Sequence, residues 1–240
     1  MKRYFGLILL ILALVLFSLC LQRINDPVIP VSSVMTPEKR IPGAVVLDAG
    51  HGGEDGGAVA KDGTQEKDVN LVIAKDVAAF FRLFGVPYVM TRDGDHDLAD
   101  KELDTIRERK RSDILARYAL VNETPGSVLL SIHQNMYEVE KYWGAQVFYA
   151  PDDADSLRLA TLLRASVTRG TQPENGREVK PSNDGIYLLY RAKRPSVMVE
   201  CGFLSNEREL SLLKSPNYDS ALAYFICRGV LDYYSLRENV

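Results

Sequence analysis

The sequence predicts a three-layer α/β domain in which helices flank a mainly parallel, open sheet. Short apolar runs alternate with longer amphipathic segments from residue 44 onward, which is typical of strand and helix repeats. The chain is 46% hydrophobic and 25% charged, an ordinary globular composition. After the N-terminal segment about 200 residues remain, which is enough to build one buried core.

The predicted elements follow one another with few interruptions. The first strand is the apolar run AVVLD at 44–48, and the helix after it spans 67–84, where Gly85 ends it. The later elements are a strand at 86–91, a helix at 105–122, strands at 127–133 and 145–150, a helix at 156–170, strands at 186–189 and 195–200, and a helix at 217–234. In sheets of this type, functional sites gather at the carboxyl ends of the strands.

Residues 1–21 form a separate segment that is almost uninterruptedly apolar after Lys2 and Arg3. The positive-inside rule keeps that basic flank cytoplasmic, so we expect the folded body to face outward. We predict an uncleaved anchor held in the cytoplasmic membrane through residues 5–21, at the short end of the about 17–25 residues that span a bilayer. A cleaved signal peptide is the alternative, although no small-x-small cleavage site is evident near Ser18.

A spacer is predicted at 22–42, where four prolines occur together with serine and threonine. The folded domain is then expected at 43–240. Neither internal repeats nor low-complexity tracts are seen, so a tandem wall-binding module is not predicted.

Charge and cysteine content exclude two classes of protein. The net charge is −3 and the longest basic run is the short segment 107–111, so nucleic-acid binding is not expected. Cys20 lies in the apolar N-terminal segment, whereas Cys201 and Cys227 are far apart and flanked by apolar residues. We expect free buried thiols rather than a disulfide framework.

Two of the three histidines directly follow predicted strands. His51 lies in DAGHGG and His133 in SIHQN, so both are expected at the same edge of the sheet. Glycines around His51 let the backbone turn sharply and leave the imidazole uncrowded, although a plain surface loop would also contain them. The third, His96, lies in the acidic stretch 93–97, which is typical of a solvated loop.

Glu66 and Glu200 are the acidic candidates. A catalytic zinc takes three protein ligands and leaves a fourth position to water. Glu66 opens the first long helix, beside the loop that carries His51, so it is a candidate third ligand, although a glutamate in a first turn is commonly a helix-dipole partner. Glu200 ends a buried apolar strand, where a carboxylate is costly unless it is paired or working. Partial burial would raise its pKa and suit a general base.

Four motifs occur in order along the chain: DAGHGGEDGGA, EKDVNL, SIHQN and VECGFLSN. They closely resemble those of the zinc-dependent N-acetylmuramoyl-L-alanine amidases of the Amidase_3 family, over about 44–234. The resemblance implies that Zn2+ is bound by His51, Glu66 and His133 and that Glu200 is catalytic. It also implies hydrolysis of the amide between the lactyl group of N-acetylmuramic acid and the L-alanine of the stem peptide in peptidoglycan.

Within the family, the short N-terminal segment and the sequence DGIYLL at 184–189 resemble the germination-specific, spore-cortex amidases. An extracytoplasmic location follows, either at the membrane face or secreted to the cell wall or the forespore intermembrane space. Whether the protein has a regulatory protein partner stays open. The chain departs from the family pattern at Cys201, where Thr or Val is frequent, and at Gln134 and Met136, where small or apolar residues are usual.

Two alternative functions stay open. The first is a wall-binding or assembly protein that keeps the fold without activity, which a missing ligand or a replaced Glu200 would favour; neither is seen. The second is a metallohydrolase of another amide, which the ligand set permits equally. Only the motif resemblance separates these alternatives from the amidase.

The segment 136–144 bears on access to the site. Some cell-division members of the family that the motifs resemble carry an inserted helix there that covers the zinc site. A helix of two turns takes about seven residues at 3.6 per turn, which leaves too few here to cross the site and return. We therefore expect an open groove, with Tyr137, Tyr142 and Trp143 either forming part of its wall or serving only in packing.

Overall fold

The computed structural model describes residues 43–237. The predicted anchor at 1–21 and spacer at 22–42 lie outside the described residues, and so do the last three residues of the predicted domain at 43–240. Within 43–237, no helix combines the length and apolar character that a membrane crossing requires.

A six-stranded sheet forms the centre of the described domain, in the order β2-β1-β3-β6-β4-β5. Only the pairing of β4 with β6 is antiparallel, which confirms the predicted mainly parallel sheet. The strands are β1 (Val45–Ala49), β2 (Tyr88–Met90), β3 (Val128–Asn135), β4 (Gln146–Tyr149), β5 (Lys180–Pro181) and β6 (Ser196–Phe203).

Helices cover both faces of this sheet. They are α1 (Glu66–Phe84), α2 (Ile106–Glu123), α3 (Ala154–Thr171), α4 (Tyr187–Tyr190), α5 (Glu207–Leu212) and α6 (Pro216–Arg237). One core cluster packs α1, α3 and α6 on one face, and a smaller cluster packs α2 and α4 on the other. This is the three-layer arrangement that the alternating pattern predicts.

The central strands begin with apolar runs because both of their faces are buried. In β1, Val45 and Leu47 pack into the larger cluster, whereas Val46 between them packs into the smaller one. Successive side chains of a strand point to opposite faces, so a strand covered on both sides needs a continuous apolar run. The alternation also decides which face each polar residue at the end of a strand occupies.

The first helix places its N-terminus at the edge where β1 ends. Gln65 is extended and Glu66 begins the helix, with Glu66 and Asp68 as acidic residues in the first turn. Gly85 ends it with φ 70°, and its backbone N–H donates to the carbonyls of Arg82 and Phe81. Since α1 runs away from this edge, only its first turn is placed beside the strand ends.

The predicted strand at 186–189 is wrong. These residues enter the one-turn helix α4, whose neighbouring residues Leu188 and Leu189 are both buried in the smaller core cluster. A strand would send two successive side chains to opposite faces, whereas a helical turn lying on the sheet buries both. Periodicity cannot separate strand from helix in so short an apolar run. The short elements α5 and β5 were also not predicted.

Candidate metal centre

Three neighbouring strands bring the predicted site residues to one edge of the sheet. Ala49, the last residue of β1, pairs with Ile132 of β3, so His51 and His133 emerge side by side. On the other flank, His133 pairs in register with Glu200 of β6. A register shift between His133 and Asn135 interrupts the ladder just beyond this point.

The turn after β1 uses backbone conformations that favour glycine. His51 itself has φ 62°, which is uncommon for a residue other than glycine. A Cβ at Gly50 would overlap the His133 imidazole, and one at Gly57 would lie 2.6 Å from Glu66 Oε2 and 2.7 Å from His51 Cδ2. The glycines therefore leave the space in which the two rings and the carboxylate meet.

His51, Glu66 and His133 form a compact donor set. One potential ligand atom from each lies within 4.8 Å of the others. The His51 Nε2 to Glu66 Oε2 distance is 3.1 Å, and the His133 Nδ1 to Glu66 Oε1 distance is 2.9 Å. Two imidazoles and one carboxylate are donors that zinc accepts, so the chemistry of this set fits a zinc ion.

Outer contacts hold His51 and Glu66 in place. His51 Nδ1 lies 2.8 Å from Asp55 Oδ2, and Lys110 Nζ lies 2.7 Å from Asp55 Oδ1. Glu66 Oε2 accepts the Ala58 amide at 2.9 Å, and Oε1 accepts the Gln134 amide at 3.1 Å. A carboxylate on the far nitrogen of a histidine is the usual support for a metal-binding imidazole.

The pKa shifts show how strongly the cluster favours positive charge. Burial alone would lower the pKa of His51, but hydrogen bonds to Asp55 and Glu66 raise this pKa to about 9. Burial alone would raise the pKa of Glu66, but His133 and His51 hold it well below its usual range. Glu66 therefore stays ionised at neutral pH, as a carboxylate ligand must.

Glu200 differs from Glu66 in having little support. Its Oε2 is buried and has no hydrogen-bond partner among the described residues. Burial raises the pKa of Glu200 to about 7; nearby His133 opposes the shift and Glu66 adds to it. A carboxyl group that titrates near neutrality and has a free buried oxygen is suited to accept and return a proton.

A cavity of about 300 Å³ opens over these residues. His51, His133 and Glu200 line it, while Ile114 of α2 and Tyr187 of α4 contribute apolar surface. Sequence reasoning missed both of these apolar residues, because the pairing of α2 with α4 across the cavity is a tertiary feature.

The segment 136–144 does not line this cavity in the described structure. The expected open groove is therefore found, but the aromatic residues form no part of its wall. Tyr137 and Tyr142 pack edge to face with ring centroids 5.2 Å apart, and Trp143 lines a separate cavity of about 370 Å³. Tyr142 also packs against Phe203, with ring centroids 6.5 Å apart.

Among the described residues, the remaining histidine and the cysteines are not members of the cluster. His96 is half exposed, and its nearest charged partner is Asp93 at 3.9 Å. Cys201 and Cys227 are buried free thiols, as predicted. Cys20 lies outside the described residues.

The fold and the cluster are compatible with a metal-dependent hydrolase. Residues 45–232 match the Amidase_3 family model, described as N-acetylmuramoyl-L-alanine amidase. The chain belongs to this family.

One relative and two solved structures are similar to this chain over about 80% of its length. A germination-specific N-acetylmuramoyl-L-alanine amidase of Bacillus subtilis is 36% identical over 191 residues, covering 80% of this chain and 79% of the relative. The solved structure of the CwlD amidase from Clostridioides difficile in complex with the GerS lipoprotein is 38% identical. It has a TM-score of 0.76 and the match covers 81% of this chain and 99% of that one. A second Clostridium difficile amidase is 27% identical, with a TM-score of 0.69, over 81% of this chain and 97% of that one.

Proposed function

We propose that this N-acetylmuramoyl-L-alanine amidase is zinc-dependent, with His51, Glu66 and His133 as the metal ligands and Glu200 as the catalytic acid and base. The observation that supports this most directly is the meeting of two imidazoles and a carboxylate beside a buried, unpartnered Glu200 oxygen. The amide attacked joins the lactyl group of N-acetylmuramic acid to the L-alanine of the stem peptide.

A zinc ion held by His51, Glu66 and His133 would supply a Lewis acid and would lower the pKa of a bound water to about 7. Glu200 Oε2 accepts the proton of the attacking water as the new C–O bond forms at the lactyl carbon. Glu200 then returns this proton to the alanine nitrogen as the C–N bond breaks. The products are the free lactyl carboxylate of muramic acid and a stem peptide with a free amino group.

The cavity walls suit a substrate with both polar and apolar parts. Ile114 is 38% exposed and Tyr187 is 37% exposed, so both offer apolar surface next to the proposed ligands. Asp55 supports His51 and fixes which imidazole nitrogen faces Glu66. Glu66 Oε1 and Oε2 each face one histidine, which keeps both rings directed to one point.

We propose the spore cortex as the peptidoglycan attacked. The support is the similarity to the germination-specific amidase of Bacillus subtilis and to CwlD of Clostridioides difficile. Digestion of isolated cortex and of vegetative wall from one strain, compared at equal muramic acid content, tests this choice. Faster release of free amino groups from the vegetative wall would contradict it.

Two further proposals concern place and partners. The apolar segment at 5–21 tethers the enzyme to the outer face of the cytoplasmic membrane, and a protein partner assists it, as the CwlD structure with GerS suggests. Intact chains should fractionate with membranes and expose the domain to external protease. A mature N-terminus mapped beyond Leu21 would contradict the tether, and full activity of the purified chain alone would make a partner unnecessary.

Metal analysis of the purified protein tests the zinc proposal. We expect one zinc per chain, loss of amidase activity on chelation, and its return when zinc is restored. His51→Ala should lose both the metal and the activity. His96→Ala is the matched control, because His96 lies outside the cluster, and it should keep both. Full activity in a demonstrably metal-free preparation would refute zinc dependence.

A further inference from the structure

The backbone turn that carries His51 is held by two buried arginines. Arg117 donates from Nη1 to the Ala49 carbonyl at 2.9 Å and from Nη2 to the His51 carbonyl at 2.7 Å. Arg92 donates from Nε to the Ala49 carbonyl at 2.8 Å and from Nη2 to the Gly50 carbonyl at 3.0 Å. Three successive carbonyls are thus fixed from two directions.

The two arginines reach the turn from different parts of the fold. Arg92 follows β2, and its other donors go to the carbonyls of Gly94 and Lys67. Arg117 belongs to α2 and also pairs with the carboxylates of Asp48 and Asp113. Each side chain is almost fully buried, at 2% exposure for the whole residue. Placing two guanidinium groups beside one buried turn is costly, which points to a specific role for them.

The turn needs this support because of its conformation. His51 has φ 62°, and left-handed backbone is unfavourable for a residue other than glycine. Glycines on either side of His51 add conformational freedom. Arginine's planar fork can bind several carbonyls at fixed angles, which the point charge of a lysine cannot do.

We infer that Arg92 and Arg117 are positioning residues that hold the 49–51 carbonyls and so preset the His51 imidazole toward Glu66 and His133. The inference rests on the proposed function where it treats the His51 cluster as the zinc site. The restraint on the backbone exists without any metal. It can therefore be measured separately from zinc binding.

The test uses Arg92→Lys and Arg117→Lys in the full chain, purified in detergent. Hydrogen exchange of the metal-free protein, followed by mass spectrometry, should be faster by about tenfold or more in peptides that contain 49–53, with the strand core at 128–132 unchanged. Zinc affinity, measured by competition with a chelator, should fall about 10- to 100-fold, the usual cost of losing an outer-shell partner. Arg164→Lys is the control, since Arg164 also binds a carbonyl, that of Arg177, but far along the chain from this turn.

Each possible outcome either supports or overturns the positioning role of Arg92 and Arg117. Wild-type exchange and affinity in both variants would overturn the inference, and so would faster exchange spread evenly over the domain, which indicates a merely structural role. If Arg117→Lys does not fold because Asp48 loses its partner, Arg92→Lys decides alone, since the four hydrogen bonds of Arg92 go to carbonyls. If the wild type binds no zinc, the proposed function fails, while the exchange data still decide the positioning role.

Discussion

His133 and Glu200 are register partners on the two neighbouring parallel strands β3 and β6. Partners in register on adjacent strands lie about 4.8 Å apart and point to the same face, so the fold itself sets the separation between the proposed ligand and the proposed base. This arrangement needs no loop movement to bring them together. It makes the separate roles of the two residues open to experiment.

Replacing Glu200 by glutamine should remove proton transfer and leave the metal in place. The buried amide keeps the shape of the carboxyl but cannot accept the proton, so we expect kcat to fall about 100- to 10,000-fold with zinc content unchanged. Glu178→Gln is the control, because Glu178 is an exposed partner of Arg164 away from the cavity. A near-wild-type rate would remove Glu200 from the mechanism, and lost zinc would make it a ligand.

Replacing Asp55 by alanine should weaken zinc binding without abolishing it. Asp55 supports His51 through its far ring nitrogen, and loss of such a partner usually costs about 10- to 100-fold in metal affinity. Chelator competition measures the change. Asp62→Ala, which removes an exposed partner of Lys214, is the control and should bind zinc like the wild type. Equal affinity in both variants would show that Asp55 does not support the site.

Replacing Asp219 by asparagine should stabilise the domain at alkaline pH. Burial, with Asp76 nearby, raises the pKa of Asp219 from 3.8 to about 7, and its Oδ1 has no hydrogen-bond partner among the described residues. The folded state therefore keeps a proton that the unfolded chain releases. The stability that this proton confers is complete below pH 4 and is lost as the pH rises to about 7.

The variant should consequently gain about 1–3 kcal/mol over the wild type at pH 8, from a shift worth about 1.4 kcal/mol per pKa unit, discounted for relaxation. At pH 4 the two proteins should be nearly equal in stability. Urea unfolding at both pH values measures the difference. A gain that is the same at both would show that the ionisation of Asp219 does not matter.

The sequence was sufficient to predict the features that local pattern determines. Strand ends place His51 and His133, and a helix start places Glu66, so periodicity and turn chemistry are enough to propose the cluster. Ile186 to Leu189 was assigned to the wrong element, because its two buried leucines acquire their meaning only from the sheet beneath them. The roles of residues that pack against distant parts of the chain could not be predicted from the sequence.

Arg117 shows why. In the sequence it looks like one more charge on a charged helix, yet it is buried against the turn that carries His51. Arg92 likewise follows a short strand without any local sign of the carbonyls that it binds. The cavity walls at Ile114 and Tyr187 come from two elements that meet only in the folded protein. Hydrophobic periodicity within one element cannot predict which elements pack together in the folded protein.

The most direct test of the central claim is mass spectrometry of peptidoglycan digested by the zinc-loaded enzyme in 18O-labelled water. Hydrolysis of the lactyl amide places one 18O atom in the lactyl carboxylate of muramic acid and releases an unlabelled stem peptide with L-alanine at its free N-terminus. The account predicts this pattern, and predicts that it disappears on chelation and in Glu200→Gln. Label found in a peptide carboxylate or on a sugar carbon, with the lactyl amide intact, would contradict it.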